Sequence, residues 1–524
     1  MNNKDNILNI NRNQNFFKIF FVFFPLFLIS GSFLSDLSVV VIAIYFIFYF
    51  YLNKMYFFFK NKLIIFFFIF YLYININSFF AYLPLVSLSS SLPYIRLILF
   101  SIFVGYLLTK ISNLKKIIFF SFLTSYLILF IDSLIQLKLG VNVLGYQVID
   151  NRISSLFRDK LIMGSYVSRT LPILIAISYF ENFKNVNFLR LFCILLAGCL
   201  VFFSAERVSL LIYISTVIIY LILLPNKFFF FSHLILLIFT LFLLDFLKPS
   251  STYRIYKHTI NQIYKEQFFL FSERHQMHYI TAYRMFLERK FLGHGIKSFR
   301  YLCHQEPYTT KDIMINNNRN FSPISGYYYL IKDSKDVFYI KDAQKSEFDM
   351  LIKNLEEAKK SNNLADFEKA KNNFSSFELR ENLTKITNKN IILYTIKSPS
   401  KVSKGDYTYS NNEHNDGCNT HPHSSHLQIL SELGLFGYVF FFFFFCYLIF
   451  IFAKKFLSTI FKKVKTIHTN YNLYIIFIIL ALIQDLLPVI PTGNIFNNWL
   501  SIFFYFKLAF FLNFHFFDRK CSSS

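Results

Sequence analysis

Apolar runs about 20 residues long recur along this chain, and no other feature limits its fold so sharply. A helix of that length crosses about 30 Å of hydrocarbon, and within lipid only helices and closed barrels satisfy every backbone N–H and C=O. Barrel strands would be half as long and would alternate apolar with polar residues; these runs do not alternate. Composition agrees, with 55% of 524 residues hydrophobic and 21% aromatic, which excludes an ordinary soluble domain. The chain reads as an all-α polytopic membrane protein with about 12 transmembrane helices. These fall at roughly 16–34, 37–52, 63–80, 94–109, 117–137, 161–180, 189–204, 207–224, 228–247, 427–452, 472–490 and 497–517. The first run lacks a small-residue cleavage site and is expected to stay in the membrane.

The net charge of +24 suggests a nucleic-acid partner until its distribution is read. Lys54, Lys60 and Lys62 follow the second span, and Lys110, Lys115 and Lys116 follow the fourth. Lys184 and Arg190 follow the sixth, Lys227 the eighth, and Lys454, Lys455, Lys462, Lys463 and Lys465 the tenth. If every run spans, all these loops share one side, which the charge bias makes cytoplasmic, together with both termini. The basic residues are thus mainly a topology signal, and no nucleic acid is expected.

Three regions follow: spans 1–9 over residues 1–247, a large outer loop over 248–426, and spans 10–12 with a cytoplasmic tail over 427–524. Within the loop, residues 305–415 are polar and rich in Asn and Lys. They read as an insertion with a helical piece near Ala343–Glu381, in the manner of a helical hairpin or lid. Cys303 and Cys418 bracket that insertion on the outer side, where an oxidising compartment would pair them. Cys193, Cys199 and Cys446 sit in spans and are read as small apolar residues.

The outer side collects the residues that invite chemistry. Arg207 lies in the tight turn Ser204-Ala205-Glu206-Arg207 between two apolar runs, where it either snorkels, pairs with Glu206, or binds an anion. Arg274 and His278 are four apart on one helical face. His421, His423 and His426 stand before the tenth span. A metal site is the first rival for these histidines, with His414 and Cys418 nearby, but the spacing fits no two-Cys, two-His module and Pro422 breaks a helical pair. No metal and no cofactor are expected. Arginines on this face suit a diphosphate through bidentate contacts, and a neutral histidine beside them suits proton abstraction from a hydroxyl.

Several ordered segments resemble the O-antigen ligase/O-antigen polymerase family of bacterial envelope glycosyltransferases. His421-Pro422-His423-Ser424-Ser425-His426-Leu427-Gln428, with Glu432-Leu433-Gly434-Leu435-Phe436-Gly437 after it, is similar to the family's histidine block and its glycine-marked entry to a span. Ser204-Ala205-Glu206-Arg207 resembles its Ser-Gly-x-Arg turn. Arg274 through Gly293-His294-Gly295 and Phe299 resembles its Arg-helix-Gly-x-Gly segment, and Arg152-Ile153-Ser154 with Asp159 and Gly164-Ser165-Tyr166 resembles the outer loop of polymerase-like members. The resemblance covers about residues 140–500. Ser424 and His426 stand where the family has Asn and Tyr, which leaves open which histidine is the base.

The resemblance implies an inner-membrane enzyme with its site and large loop on the periplasmic face. It would move a glycan from an undecaprenyl-diphosphate carrier to an acceptor glycolipid, either lipid A-core or a second carrier-linked glycan. By position, Arg207 and Arg274 would bind diphosphate, His423 would be the base, and Arg152, His421, His426 and Gln428 would contact substrate. Arg152-Ile153-Ser154 with Asp159 points toward a polymerase. The alternative from the residues is a polysaccharide transporter or flippase, which broken spans and intramembrane charges would favour.

Overall fold

The computed structural model describes residues 10 and 13–514, apart from 225, 258–259, 261–272, 306, 309, 311–326, 332–335, positions within 341–363, 381–382, 389–390, 397–416, 462–465, 489–490 and 492. Contacts divide the chain into two units. The first is Met1–Ser272 with Phe286–Ser298 and His423–Ser524; the second is Glu273–Met285 with Phe299–Pro422.

The first unit is helical. Its helices are α1 (Gln14–Ser30), α2 (Ser32–Asn53), α3 (Lys62–Phe79), α4 (Pro84–Lys110, with a 3₁₀ turn at Leu92–Tyr94), α5 (Leu114–Leu139), α6 (Met163–Phe180), α7 (Val186–Ser204), α8 (Arg207–Ile222) and α9 (Lys227–Leu247). The chain returns to the first unit after α10 (Glu273–Glu288), and the second unit's α11 (Leu364–Arg380) precedes α12 (Ser425–Phe461), α13 (Thr466–Asp485) and α14 (Asn498–Leu512). Among the described residues, seven helices are long and apolar enough to cross a membrane: α2, α3, α4, α5, α7, α9 and α12. The chain is a multi-pass membrane protein. Each run expected to span falls on a helix, but α1, α8, α14 and the apolar stretch of α13 are shorter than those seven.

Burial explains why α6 differs. It packs against α13, α7 and α8 and buries residues on every side, Arg169, Ser168 and Thr170 among them. A helix that meets no lipid need not be apolar throughout. By contrast, α9 is almost wholly exposed and carries Phe and Leu outward, as a lipid-facing helix must. Local caps match the sequence: Asn61 accepts from Leu63 N (2.8 Å) to start α3, and Asn497 accepts from Trp499 N (2.9 Å) to start α14.

The helix α12 is broken at Gly434 (φ 65°, ψ −168°). In an unbroken helix, Leu435 N and Phe436 N would bond to Ser431 O and Glu432 O. Instead the segment 290–295 takes over all four groups. His294 N donates to Ser431 O (3.0 Å), Gly295 N to Glu432 O (2.7 Å), Leu435 N to Lys290 O (2.7 Å) and Phe436 N to Phe291 O (3.3 Å). The approach requires glycine on both sides. A Cβ on Gly434 would lie 2.3 Å from Phe291 O, and one on Gly293 would lie 2.5 Å from Gly434 N. Tyr73 and Asn77 of α3 fasten the pair, donating to Leu433 O and Leu292 O. Segment 286–298, expected in the outer loop, therefore belongs to the helical body; His294 is buried.

The second unit departs from the all-helical expectation. It holds α11 and four strands, β1 (Tyr327–Ile331), β2 (Asp336–Ile340), β3 (Leu383–Asn388) and β4 (Ile391–Ile396), in the order β1-β2-β4-β3. β1 pairs antiparallel with β2, β3 antiparallel with β4, and β2 parallel with β4. Tyr327-Tyr328-Tyr329-Leu330-Ile331 and Ile391-Ile392-Leu393-Tyr394-Thr395-Ile396 are β-branched and aromatic stretches, which favour strands over the expected helical hairpin. Cys303 and Cys418 are joined as expected, with Cα atoms 5.0 Å apart. Next to them Gly417 (φ 82°) fits against Met277 and Thr281 of α10, which holds the end of the insertion to that helix.

Two outcomes test these features. Gly434→Ala or Gly293→Ala should destabilise the detergent-solubilised protein by about 2–4 kcal/mol, from overpacking plus a left-handed backbone; an unchanged unfolding temperature in both would refute the interlock. Thiol alkylation of protein unfolded without reductant should leave Cys303 and Cys418 unlabelled, and modification there would refute the bridge.

Candidate functional site

Residues 140–160 reach their place through the end of α5. Asp132 accepts from Ser155 Oγ (2.6 Å) and Val143 N (3.0 Å), while Gln136 accepts from Ser155 N (2.8 Å) and donates to Tyr146 O (3.1 Å). So fastened, the loop delivers Arg152 to the C-terminal end of α7. Arg152 Nε donates to Ser204 O (3.0 Å) and Nη2 to Leu161 O (3.0 Å). Its guanidinium lies 3.8 Å from the Glu206 carboxylate.

Glu206 in turn accepts from Gly164 N (3.1 Å) and Ser209 Oγ (2.7 Å), so it caps the start of α6. Gly164 is needed there, because a Cβ would lie 2.3 Å from Ser204 Oγ. The stretches Arg152-Ile153-Ser154, Gly164-Ser165-Tyr166 and Ser204-Ala205-Glu206-Arg207, singled out separately in the sequence, thus meet. The expectation that Glu206 pairs with its neighbour Arg207 is replaced by its pairing with Arg152.

Two further cations belong to this cluster. Buried Lys248 donates from Nζ to Phe203 O (3.0 Å), again at the C-terminal end of α7, where the helix dipole favours positive charge. Arg254 and Arg207 lie close enough to Arg152 to make its protonation less favourable, while Glu206 and Asp150 favour it. Four cations (Arg152, Arg207, Lys248, Arg254) thus face two carboxylates (Asp150, Glu206). Burial pulls the Arg152 guanidinium below its usual pKa and pushes the Glu206 carboxyl up. Burial, then the charge of Arg152, brings Lys248 down to about 8. A part-buried, net-positive cluster at a helix end has the charge that an anion would complement. Lys248 and Arg254 were missed in the sequence because each stands among ordinary juxtamembrane residues.

The histidines separate. His426 turns into the helical body among Tyr438, Phe441 and Phe445. Its Nε2 donates to Leu486 O (2.7 Å), which leaves Nδ1 to accept from Tyr438 O–H (3.0 Å). Both nitrogens serve the fold, so His426 departs from its expected contact with substrate. Gln428 is likewise a brace: it donates to Asn494 Oδ1 (2.8 Å) and Glu432 Oε2 (3.1 Å) and accepts from Ile495 N (3.1 Å). His423 stays half-buried ahead of α12 with a left-handed backbone (φ 55°), a conformation found disproportionately at functional positions. His421, in the second unit, sits with Nδ1 3.0 Å from Thr420 Oγ1. Arg274 falls on α10, and its side chain lies outside the described residues, as does His414.

A second charged cluster escaped the sequence reading. Within the helices, Arg169 of α6 and Lys507 of α14 both bind Asp485 of α13, Lys507 at 2.7 Å. The available signal was three charged residues inside runs read as apolar, each of which requires a partner in lipid. Among the described residues, Cys303, His304 and Cys418 are the group with metal-type ligand spacing, and the disulfide removes both thiolates from ligation.

Lys248 supplies a pH test. Its charge disappears as pH rises through about 8, so pyrophosphate binding measured by titration calorimetry should weaken across that interval. Stability should move the opposite way: burying the charged form is costly below that pKa, and the cost falls away above it. Lys248→Met should flatten both trends, and a profile identical to wild type would remove Lys248 from the cluster. Compared with family models, with curated proteins and with solved structures, the chain matches none.

Proposed function

We propose that this chain is a membrane glycosyltransferase that moves a glycan from an undecaprenyl-diphosphate carrier to an acceptor sugar, of the O-antigen polymerase or ligase type. The observation that carries the reading is the net-positive cluster of Arg152, Arg207, Lys248 and Arg254 around Glu206, at the ends of membrane helices. A lipid diphosphate presents its charge at that depth, and its hydrocarbon remains in the bilayer. The finer topology belongs to the same proposal: about 12 spans in the inner membrane, both termini cytoplasmic, and the cluster with His423 on the periplasmic face.

In the proposed reaction, the arginines hold the diphosphate and stabilise the charge that develops as the anomeric C–O bond breaks. The acceptor hydroxyl attacks the anomeric carbon from the opposite side, forming the new glycosidic bond with inversion. His423 takes the hydroxyl proton, and the diphosphate leaves on its polyprenyl chain. Arg274 joins the anion site in this scheme, as the resemblance implies.

A transporter is the second reading, and two observations favour it: the break in α12 at Gly434 and the intramembrane charges Arg169, Asp485 and Lys507. Purified protein in vesicles with a carrier-linked glycan donor separates the two. Under the transferase reading, wild type forms product, and His423→Ala and Arg274→Ala each lower the rate by about 100-fold or more while inserting normally. Near-wild-type rates in both variants would refute the site, and translocation without product would favour the transporter. Deletion in the native host separates the subtypes: lipid A-core with a single repeat marks a polymerase, and bare lipid A-core with polymer on the carrier marks a ligase.

A further inference from the structure

The buried ion cluster lines a cleft. Arg169 and Asp485 form its wall with Ser425, Tyr94 and Ser501, and the rest is apolar, with Phe66, Phe70, Phe440, Phe444 and Phe504 prominent. The cleft is narrow, with about 70 Å³ of enclosed room, so only part of an occupant would sit inside it.

Its polar and apolar residues are segregated. Asp485 is the last residue of α13 and Ser425 the first of α12, and Arg169 lies in the second turn of α6. The phenylalanines come from the middle of α3, α12 and α14. One end of the cleft, level with those helix ends, is therefore polar, and the other is hydrocarbon. An amphiphile standing in the bilayer has the same profile.

Charge decides its class. Asp485 gives Oδ1 to Arg169 and Oδ2 to Lys507, so one carboxylate balances two cations. Arg169 also donates from Nε to Ser165 Oγ (3.0 Å), and its Nη2 has no protein partner among the described residues. Asp485 is the one acidic side chain lining the cleft among the described residues. The Arg169 side chain is 7% exposed and Lys507 fully buried, so water does little to screen the surplus charge.

We propose that this cleft is a binding site for an acidic membrane lipid, with one hydrocarbon chain between α3, α12 and α14 and the headgroup anion on Arg169 Nη2. The site does not depend on the transferase reading, and its test involves no transfer step. Wild-type protein is ejected from nanodiscs of equal parts phosphatidylglycerol and phosphatidylcholine, and the retained lipid is identified by native mass spectrometry. The expected result is one retained lipid, phosphatidylglycerol favoured by about 5–10-fold, because its headgroup is a net anion whereas the choline cation of phosphatidylcholine offsets its phosphate beside the surplus positive charge. Arg169→Gln keeps the Asp485–Lys507 pair and should bring the two lipids to parity, while Arg169→Lys should keep the preference. Leu500→Trp, which fills the cleft, should abolish retention of both. Equal retention by wild type, or a preference that survives both Arg169→Gln and Leu500→Trp, overturns the proposal.

Discussion

A broken membrane helix has nowhere to send its freed amides and carbonyls, and that constraint organises the first unit. In lipid each unsatisfied group costs several kcal/mol, so α12 can break at Gly434 only because another backbone fills the gap. Residues 290–295 fill it with four hydrogen bonds, in the place of the two helical bonds that the break removes. Contact that close leaves no volume for a Cβ on either Gly293 or Gly434. The break also sets the direction of the half-helix Ser425–Leu433. Its residues His426 and Gln428 then reach Leu486 and Asn494, so the connection from α13 to α14 is held through the same element.

Charge inside the helical body follows a related logic. Helices α6, α13 and α14 are the most enclosed, and they carry Arg169, Asp485 and Lys507. Removing Asp485 would strand two cations in a low-dielectric interior, a loss of about 3–5 kcal/mol for a broken buried pair. Such clusters do little for stability compared with well-packed apolar residues, so their presence points to a role in function or in fixing one arrangement of helices. The positive excess at Arg152 and Lys248 differs in kind. It sits at a helix C-terminus, at the end of the apolar stretch rather than within it.

The helical body was legible because lipid imposes a single rule, and runs such as Lys227–Leu247 or Val186–Ser204 obey it plainly. Arg152 and Arg207 were legible as cations in loops expected on the side that topology keeps poor in them. Other features required three dimensions. His426 looks like a catalytic candidate in sequence, yet its ring lies between Tyr438 and the Leu486 carbonyl, because the half-helix turns that face inward. Glu206 reads as the natural partner of Arg207 beside it, but consecutive residues at a helix start point apart, and the loop from α5 supplies Arg152 instead. The strands of the second unit were hidden by the polar, Lys- and Asn-rich composition around them.

The two charged clusters meet adjacent turns of α6. Ser165 gives its backbone N–H to Glu206 and accepts Arg169 Nε at its hydroxyl. Glu206 therefore holds the first turn of α6 from one side, and the Asp485 pair holds the second turn from the other. A rotation of α6 would disturb the contacts at both places together, because the turns are joined by helical hydrogen bonds. That helix is the shortest physical connection between the two proposed anion sites. Any coupling between those proposed sites would be reciprocal, each anion changing the affinity for the other by the same factor.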